Sequence, residues 1–355
     1  MTLYRVLVVG ASYGSLLASK LLLAGHQVTV VCFPDEAEVI NRIGLRLDIP
    51  TKAHGLVEID SRQSPGTLSA IGPDGIDVAA FDLVCLAIQE PQCRVEAIRR
   101  LLKAVAASNV PVMSVMNMPP PPYLFRVLGV SPDVLRHAYV DLEPWCDFDN
   151  ARFTLCSPDP QAFRPPGAPA NQMRVSLPTN FKAARFPSDA DTKILRDLAT
   201  GIDAVRWSSH GSLIELPVKL KVHDSSFVPL AKWAMLLTGN YRCVTSNGPI
   251  SIAEAVHCDI DVSRGIYEWV STVCFTLGAA TEDLVPFERY AHAAEGLTKP
   301  SSAARALFAG AHHIERVDLL VQSLAANHGL QNRFVDGTVE AVNDRLSQNR
   351  RSIHH

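Results

Sequence analysis

Near the start of the chain, residues 8–31 read VVGASYGSLLASKLLLAGHQVTVV, and two chemistries compete for Gly10-Ala11-Ser12-Tyr13-Gly14 inside that stretch. G-x-S-x-G between a strand and a helix is the elbow that presents a nucleophilic serine, which would make Ser12 a catalytic hydroxyl. A glycine-rich turn in the same place is a phosphate cradle, where the free N–H groups and positive dipole end of the next helix face a pyrophosphate. Ser12 would then be a small spacer, flanked by Ala11 and Tyr13. The order of elements separates the two. An elbow serine takes part of its oxyanion hole from an earlier connection, but here the strand before Ser12 is the first element of the chain. A dinucleotide fold needs the first strand–turn–helix, and that is where this turn falls. Gly10 would permit the tight turn and Gly14 the close packing of helix on strand. Measured against G-x-G-x-x-G, the turn reads one residue short, as Gly10-x-x-x-Gly14.

The elements around it follow from periodicity. Runs 4–9 and 28–32 are continuous and apolar, as buried parallel strands are, and flank an amphipathic helix closed by Gly25. Their crossover should be right-handed. Short polar-edged strands are predicted at 55–60, 67–71 and 75–78, buried strands at 83–88 and 110–116, and a helix over 90–107. The MPPPPY stretch, 118–123, predicts a stiff extended loop, because proline continues neither a helix nor a central strand. Residues 135–186 alternate weakly and predict antiparallel strands with an exposed proline-rich loop at 157–169. Helices are expected at 227–244, 250–258, 261–279, 283–294, 301–327 and 334–347. The expected architecture is an α/β Rossmann-type N-terminal domain with a mainly parallel sheet, 1–207, plus an all-helical C-terminal domain, 208–350.

Bulk properties agree with two folded domains. The chain has 355 residues, 47% hydrophobic and 19% charged, enough to bury large cores. A formal charge of -3 without a basic run before Arg350-Arg351 argues against a nucleic-acid partner. Apolar runs fall short of the ~18 residues of a membrane span. A strand that begins almost at once leaves no room for a signal peptide. The eight cysteines have no metal-ligand spacing and are expected to be buried free thiols in a reducing, cytoplasmic compartment. Zinc is not expected at His312-His313 or His257-Cys258, since adjacent helical residues diverge by about 100°.

Taken together, several segments resemble the ketopantoate reductases and their relatives with a 6-phosphogluconate-dehydrogenase-like helical domain. The turn with AGHQVTVV is one. DLVCLAIQEPQ, 82–92, looks like the family's D-L-V-x-V-K-x-x-Q segment, and MSVMNM, 113–118, like its strand ending in Q-N-G. PLAKWAMLLTGNY, 229–241, looks like its first long helix of the second domain, and KPSSAARALFAGAHHIERVD, 299–318, like the serine-containing helix that runs into T-E-I-D. The resemblance implies an NADP(H)-dependent reductase, with NAD an alternative, for a small 2-oxo acid or related carbonyl or imine. It implies Lys232 as proton donor and Asn240 as a substrate ligand. A serine, Ser301 or Ser302, and a glutamate complete the family site; Ser302 and Glu315 are taken here, although His313 fits the spacing and Ile314 lies between. Gln92 and Asn117 keep the family's cofactor positions, while Gln89 replaces the lysine that meets the 2′-phosphate. Leu236 and Met118 replace a further asparagine and a glycine. These departures imply a divergent member whose substrate is not ketopantoate.

Such chemistry needs a hydride donor, a proton donor and a grip on the carboxylate. Lys232, Leu236 and Asn240 lie four apart, on one helix face, and Lys232 could deliver a proton if burial lowers its pKa. Arg305 is a further carboxylate candidate, and Tyr123 and Phe125 could line or merely pack the cleft. At the end of the second strand, Cys32-Phe33-Pro34-Asp35-Glu36 places neither acid nor arginine at the tip, and Arg42 lies further on. Two other readings stay open. An opine-type dehydrogenase would use a histidine such as His210 or His223, and a non-catalytic sensor would keep the fold alone. An apolar face of the helical half could pair two subunits.

Overall fold

The computed structural model describes residues 2–52, 54–209 and 211–352, so His210 lies outside the described residues. The chain forms two compact units, the first comprising Met1–Ile88, Gln92–Arg126 and Glu143–Ser226.

The first unit opens with β1 (Arg5–Val9), α1 (Gly14–Leu23) and β2 (Gln27–Val31). Val6, Leu7 and Val8 are fully buried, as expected of a strand with neighbours on both sides. α2 (Pro34–Ile43), β3 (Arg46–Thr51), β4 (Gly55–Asp60), β5 (Thr67–Ile71), β6 (Leu83–Leu86), α3 (Glu96–Ser108) and β7 (Val112–Val115) follow. Then come α4 (Pro121–Leu128), α5 (Pro132–Leu135), β8 (Phe153–Ser157), β9 (Gln161–Phe163), β10 (Gln172–Leu177), β11 (Phe181–Ala184), α6 (Asp189–Ala204), β12 (Arg206–Ser209), β13 (Ser212–Glu215) and β14 (Leu220–His223). Among the described residues the main sheet runs β14-β11-β8-β7-β6-β1-β2-β5. Its pairings are parallel except β8 with β11. A smaller sheet runs β4-β3-β10-β9.

Register fixes where a ligand can sit. Val9 pairs with Val31 on one side and Leu86 on the other, so β1, β2 and β6 end level. From β1 the chain builds outward through β2 on one side and β6, β7 and β8 on the other. The junction of β1 and β6 is therefore a topological switch point, and ligands of such sheets bind beyond the carboxyl ends of the strands there.

Several expectations need correction. Four prolines do not make an extended loop: Pro121 opens α4, where the missing N–H belongs to the unpaired first turn anyway. Residues 75–77 are irregular rather than a strand, and they lead into a short 3-10 segment at Val78–Ala80. β9 interrupts the loop expected at 157–169. The boundary expected at 207/208 falls at Ser226/Phe227. β14 pairs with β11 from Phe181↔Leu220 to Ala184↔His223, so the chain beyond 207 completes the first sheet. Thiols are less uniformly buried than expected, since Cys146 and Cys258 are exposed.

The second unit comprises Gln89–Pro91, Val127–Leu142 and Phe227–His355. It is mainly helical: α7 (Lys232–Met235), α8 (Ile252–His257), α9 (Ile260–Thr276), α10 (Phe287–Ala294), α11 (Ser302–Phe308), α12 (Val317–Asn327) and α13 (Arg333–Arg351). The single helix expected over 301–327 is broken after Ala309, where Gly310 takes φ +92°. In α12, Leu320, Val321, Leu324 and Ala325 are all fully buried. Among the described residues, no helix is long and apolar enough to cross a membrane.

Candidate active site

Gly10 is required twice over. Its φ is +105°, and a Cβ there would lie 2.5 Å from the Ala87 carbonyl oxygen. Its N–H bonds to Val31 O at 2.9 Å, which pins the turn to the end of β2. Gly14 is required by space, since its Cβ would meet Val8 Cγ1 at 2.7 Å and Ala87 Cβ at 3.1 Å. The close packing of helix on strand expected of Gly14 is thus present. Ala11 is buried and Ser12 is exposed at the turn.

Ser15 was missed in the sequence. It is 2% exposed, and its hydroxyl donates to the Ala11 carbonyl inside the turn. Counted from Gly10 in the G-x-G-x-x-G frame, Ser12 and Ser15 stand at the third and sixth positions, where the motif has glycine. The signal was available as G-A-S-Y-G-S, but counting glycines alone hid it. Tyr13 donates its hydroxyl to Pro160 O at 2.6 Å and sets its ring edge-on to Phe181. Burial pushes its phenol pKa well up, so it stays neutral. No side chain caps α1, and no acid occupies its first turn. The positive end of the helix thus carries no acid of its own first turn, which suits a pyrophosphate site.

At the end of β2, Cys32 is half-buried and Phe33 is 68% exposed. Pro34 begins α2, with Asp35 and Glu36 in its first turn and Arg42 in its last. Arg164 reaches Glu36 at 2.8 Å. Gln89 follows Ile88 directly, and both Gln89 and Gln92 are exposed. Beyond β7, Asn117 Oδ1 is buried and has no hydrogen-bond partner. Buried acceptors are seldom left so, and an unpaired one calls for an explanation. Met118, which stands where the resembled family has glycine, is fully buried. Tyr123 packs: it is fully buried and donates its hydroxyl to Ser226 O. Phe125 is half-buried.

In the second unit Lys232 and Asn240 are both half-buried. They do not share one regular helix. α7 passes into a π turn, Leu236–Asn240, where the Tyr241 N–H bonds five residues back to Leu236 O. Leu236 is 4% exposed and belongs to the core. Ser301, 2% exposed, is the serine brought to Asn240: its Oγ donates to Asn240 O at 2.6 Å and accepts the Ala304 N–H at 3.1 Å as the cap of α11. Ser302 is exposed, as is Arg305. Ile314 is buried at 4% and has no polar group to offer. Glu315 keeps its carboxylate half-exposed, with Oε1 accepting the Glu90 N–H at 3.4 Å. Its carbonyl accepts from Tyr241 Oη at 2.6 Å. His313 is half-buried beside it in sequence. His257 Nε2 lies 3.0 Å from Ala291 O, and no group of three metal-ligating residues occurs among the described residues. His223 closes β14 in the first unit.

A Rossmann-type unit with a glycine turn at its switch point, together with a second unit that is mainly helical apart from a two-stranded ribbon at Val244–Thr245 and Gly248–Pro249, defines the class: an α/β dinucleotide-fold protein with a mainly helical second unit. No family model matches the sequence, and no curated protein matches it. Solved structures do. A ketopantoate reductase from Ralstonia eutropha is similar over 98% of this chain and 99% of its own, with TM-score 0.63 and 14% identity. A D-mandelate dehydrogenase, in a ternary structure with NADH and anilino(oxo)acetate, is similar over 98% and 99%, with TM-score 0.62 and 12% identity. A dimeric ketopantoate reductase from Staphylococcus aureus is similar over 97% and 99%, with TM-score 0.62 and 11% identity. What these proteins share with this chain is the fold over nearly its whole length.

Proposed function

We propose that the protein is an NAD(P)H-dependent reductase of a small 2-oxo acid or a related carbonyl or imine, with Lys232 as proton donor. The observation that carries this reading is the Gly10–Ser15 turn against the end of β6, at the switch point of the sheet. The residues present fit a dinucleotide. The turn N–H groups and the uncapped start of α1 would hold the pyrophosphate, with Gly10, Ala11, Ser12, Tyr13 and Gly14 forming the cradle. Asn117 Oδ1, unpaired and buried, would accept from the nicotinamide amide. When bound, the cofactor supplies the hydride.

The chain supplies the rest. Lys232 donates a proton to the oxygen or nitrogen of the bond being reduced. Asn240 hydrogen-bonds the substrate, its backbone fixed by Ser301. Glu315 would complete the site as its carboxylate. A 2-oxo acid is favoured as the substrate class because the mandelate dehydrogenase of the same fold was captured with anilino(oxo)acetate.

NADP(H) is the proposed cofactor, with Arg164 as the cation next to α2 and Gln89 and Gln92 as further contacts. NAD(H) is the second reading, favoured by Asp35 and Glu36 in the first turn of α2, which suit a ribose hydroxyl better than a phosphate. The fold shared with a dimeric reductase supports a homodimer, and eight free thiols support a reducing, cytoplasmic setting.

The test is oxidation of NADPH and of NADH in the presence of ketopantoate, phenylglyoxylate and 2-oxoisovalerate. Turnover is expected with at least one acid. Lys232→Ala should lower kcat by about 10²–10⁴-fold with dinucleotide affinity unchanged. Full turnover by Lys232→Ala removes its role.

A further inference from the structure

An unbroken α-helix would set the two polar residues on which the proposed chemistry relies at the two margins of one broad face, not in line. At 3.6 residues per turn, eight residues leave Asn240 about 80° past Lys232. The π turn Leu236–Asn240 changes this. A turn closed by an i,i+5 bond holds more residues, so each advances the chain through a smaller angle and the lag shrinks. Lys232 and Asn240 are brought toward the same side of the helix.

A π turn is rare and needs outside support. Here the support is specific. Tyr290, on α10, donates its hydroxyl to Met235 O at 3.0 Å, the carbonyl just before the π turn. Met235 O is the acceptor that the Gly239 N–H would use in an α-helix. The same hydroxyl occupies the space over Gly239, where a Cβ would lie 2.1 Å from it. Tyr290 is itself held by stacking on Tyr267, with ring centroids 5.5 Å apart and planes 22° apart. Further along, Arg242 Nη1 reaches Thr238 O at 3.3 Å and Ser301 Oγ reaches Asn240 O at 2.6 Å. With Cys243 Sγ on Gly239 O at 3.4 Å, four side chains thus bond the carbonyls of the distorted segment, and of these four Tyr290 is the one that acts at its start.

We propose that Tyr290 is a positioning residue: by bonding Met235 O over Gly239 it holds the π turn that sets Asn240 in phase with Lys232. This rests on the reading of Lys232 as proton donor and Asn240 as substrate ligand. Tyr290 touches neither cofactor nor substrate in this account.

The test compares Tyr290→Phe, Gly239→Ala and the double variant in the full chain. Tyr290→Phe removes only the hydroxyl. It should raise KM for the 2-oxo acid about tenfold or more, leave KM for NADPH within about twofold, and leave the pH profile of kcat in place. Gly239→Ala should be more damaged than Tyr290→Phe, and the double variant should regain activity over Gly239→Ala alone, because the missing hydroxyl vacates the space a Cβ needs. A crystal structure of Tyr290→Phe gives a readout independent of activity: the expected result is an α-helical bond from Gly239 N–H to Met235 O and a rotated Asn240. An unchanged π turn in that structure, or wild-type KM for the acid, overturns the proposal. If Lys232→Ala is inactive while Tyr290→Phe is unaltered, the positioning role alone falls and the reductase reading stands.

Discussion

The hydroxyl of Tyr241 donates to the carbonyl oxygen of Glu315 at 2.6 Å and accepts the Val317 N–H at 3.0 Å. Tyr241 follows Asn240 in sequence, so one phenol couples the segment bearing Asn240 to the loop bearing Glu315. Burial pushes its pKa well above the ordinary value, which keeps the hydroxyl protonated and able to do both. Tyr241→Phe would strand a buried N–H and a carbonyl. The expected cost is about 2–3 kcal/mol in chemical denaturation, together with a raised KM for the 2-oxo acid. Unchanged stability and KM would show that the coupling is incidental.

Gly10 is the position least able to accept a side chain. Ala there would place Cβ 2.5 Å from the Ala87 carbonyl at φ +105°. The turn must open, at a cost of about 2–4 kcal/mol, and its N–H groups then leave the pyrophosphate. Calorimetry should show lower stability, and titration should show dinucleotide affinity weakened by more than about tenfold.

Asn117 separates stability from binding. Its unpaired Oδ1 is a cost to the ligand-free protein. Asn117→Leu should therefore leave the Tm unchanged or slightly higher while raising KM for the dinucleotide about tenfold. A lowered Tm with KM intact would assign Asn117 to packing instead.

Much of the first unit was legible for a physical reason. Strands 4–9, 28–32 and 83–88 are buried on both faces, so they read as continuous apolar runs, and β1, β2 and β6 lie within them. Gly10 and Gly14 were legible because a glycine-rich turn between strand and helix is a local pattern, although the atoms of Ala87 that exclude a Cβ at both lie far along the chain. Features set by distant contacts were not. The π turn depends on Tyr290, far along the chain, and no periodicity at 232–240 carries it. β14 reads as a change of character near 208–224 because its partner β11 lies well upstream. Pro121 was misjudged because a rule for helix interiors was applied to a first turn. The choice among His313, Ile314 and Glu315 needed burial, which removed Ile314.

Lys20 gives the fold a pH dependence. It is 1% exposed in α1 and donates to Pro217 O at 2.9 Å. Burial first, and then the nearby Lys219, lower its pKa to about 7. The unfolded chain holds its proton up to about pH 10.4. Below pH 7 both states are charged and the full penalty applies; between about 7 and 10.4 the unfolded state binds more protons, so this group's contribution to stability rises with pH. Lys20→Met should abolish that rise, and at pH 7 it should be as stable as the native chain or more so. Denaturation curves from pH 6.5 to 9.5 check both points, and an unchanged pH dependence in the variant would refute them.

The central claim, that the Gly10–Ser15 turn cradles a dinucleotide, is met most directly by titrating the full chain with NADPH and NADH while following nicotinamide fluorescence. Saturable binding in the micromolar range, lost in Gly10→Ala, is the predicted result. No saturation by either nucleotide up to millimolar concentration would contradict it.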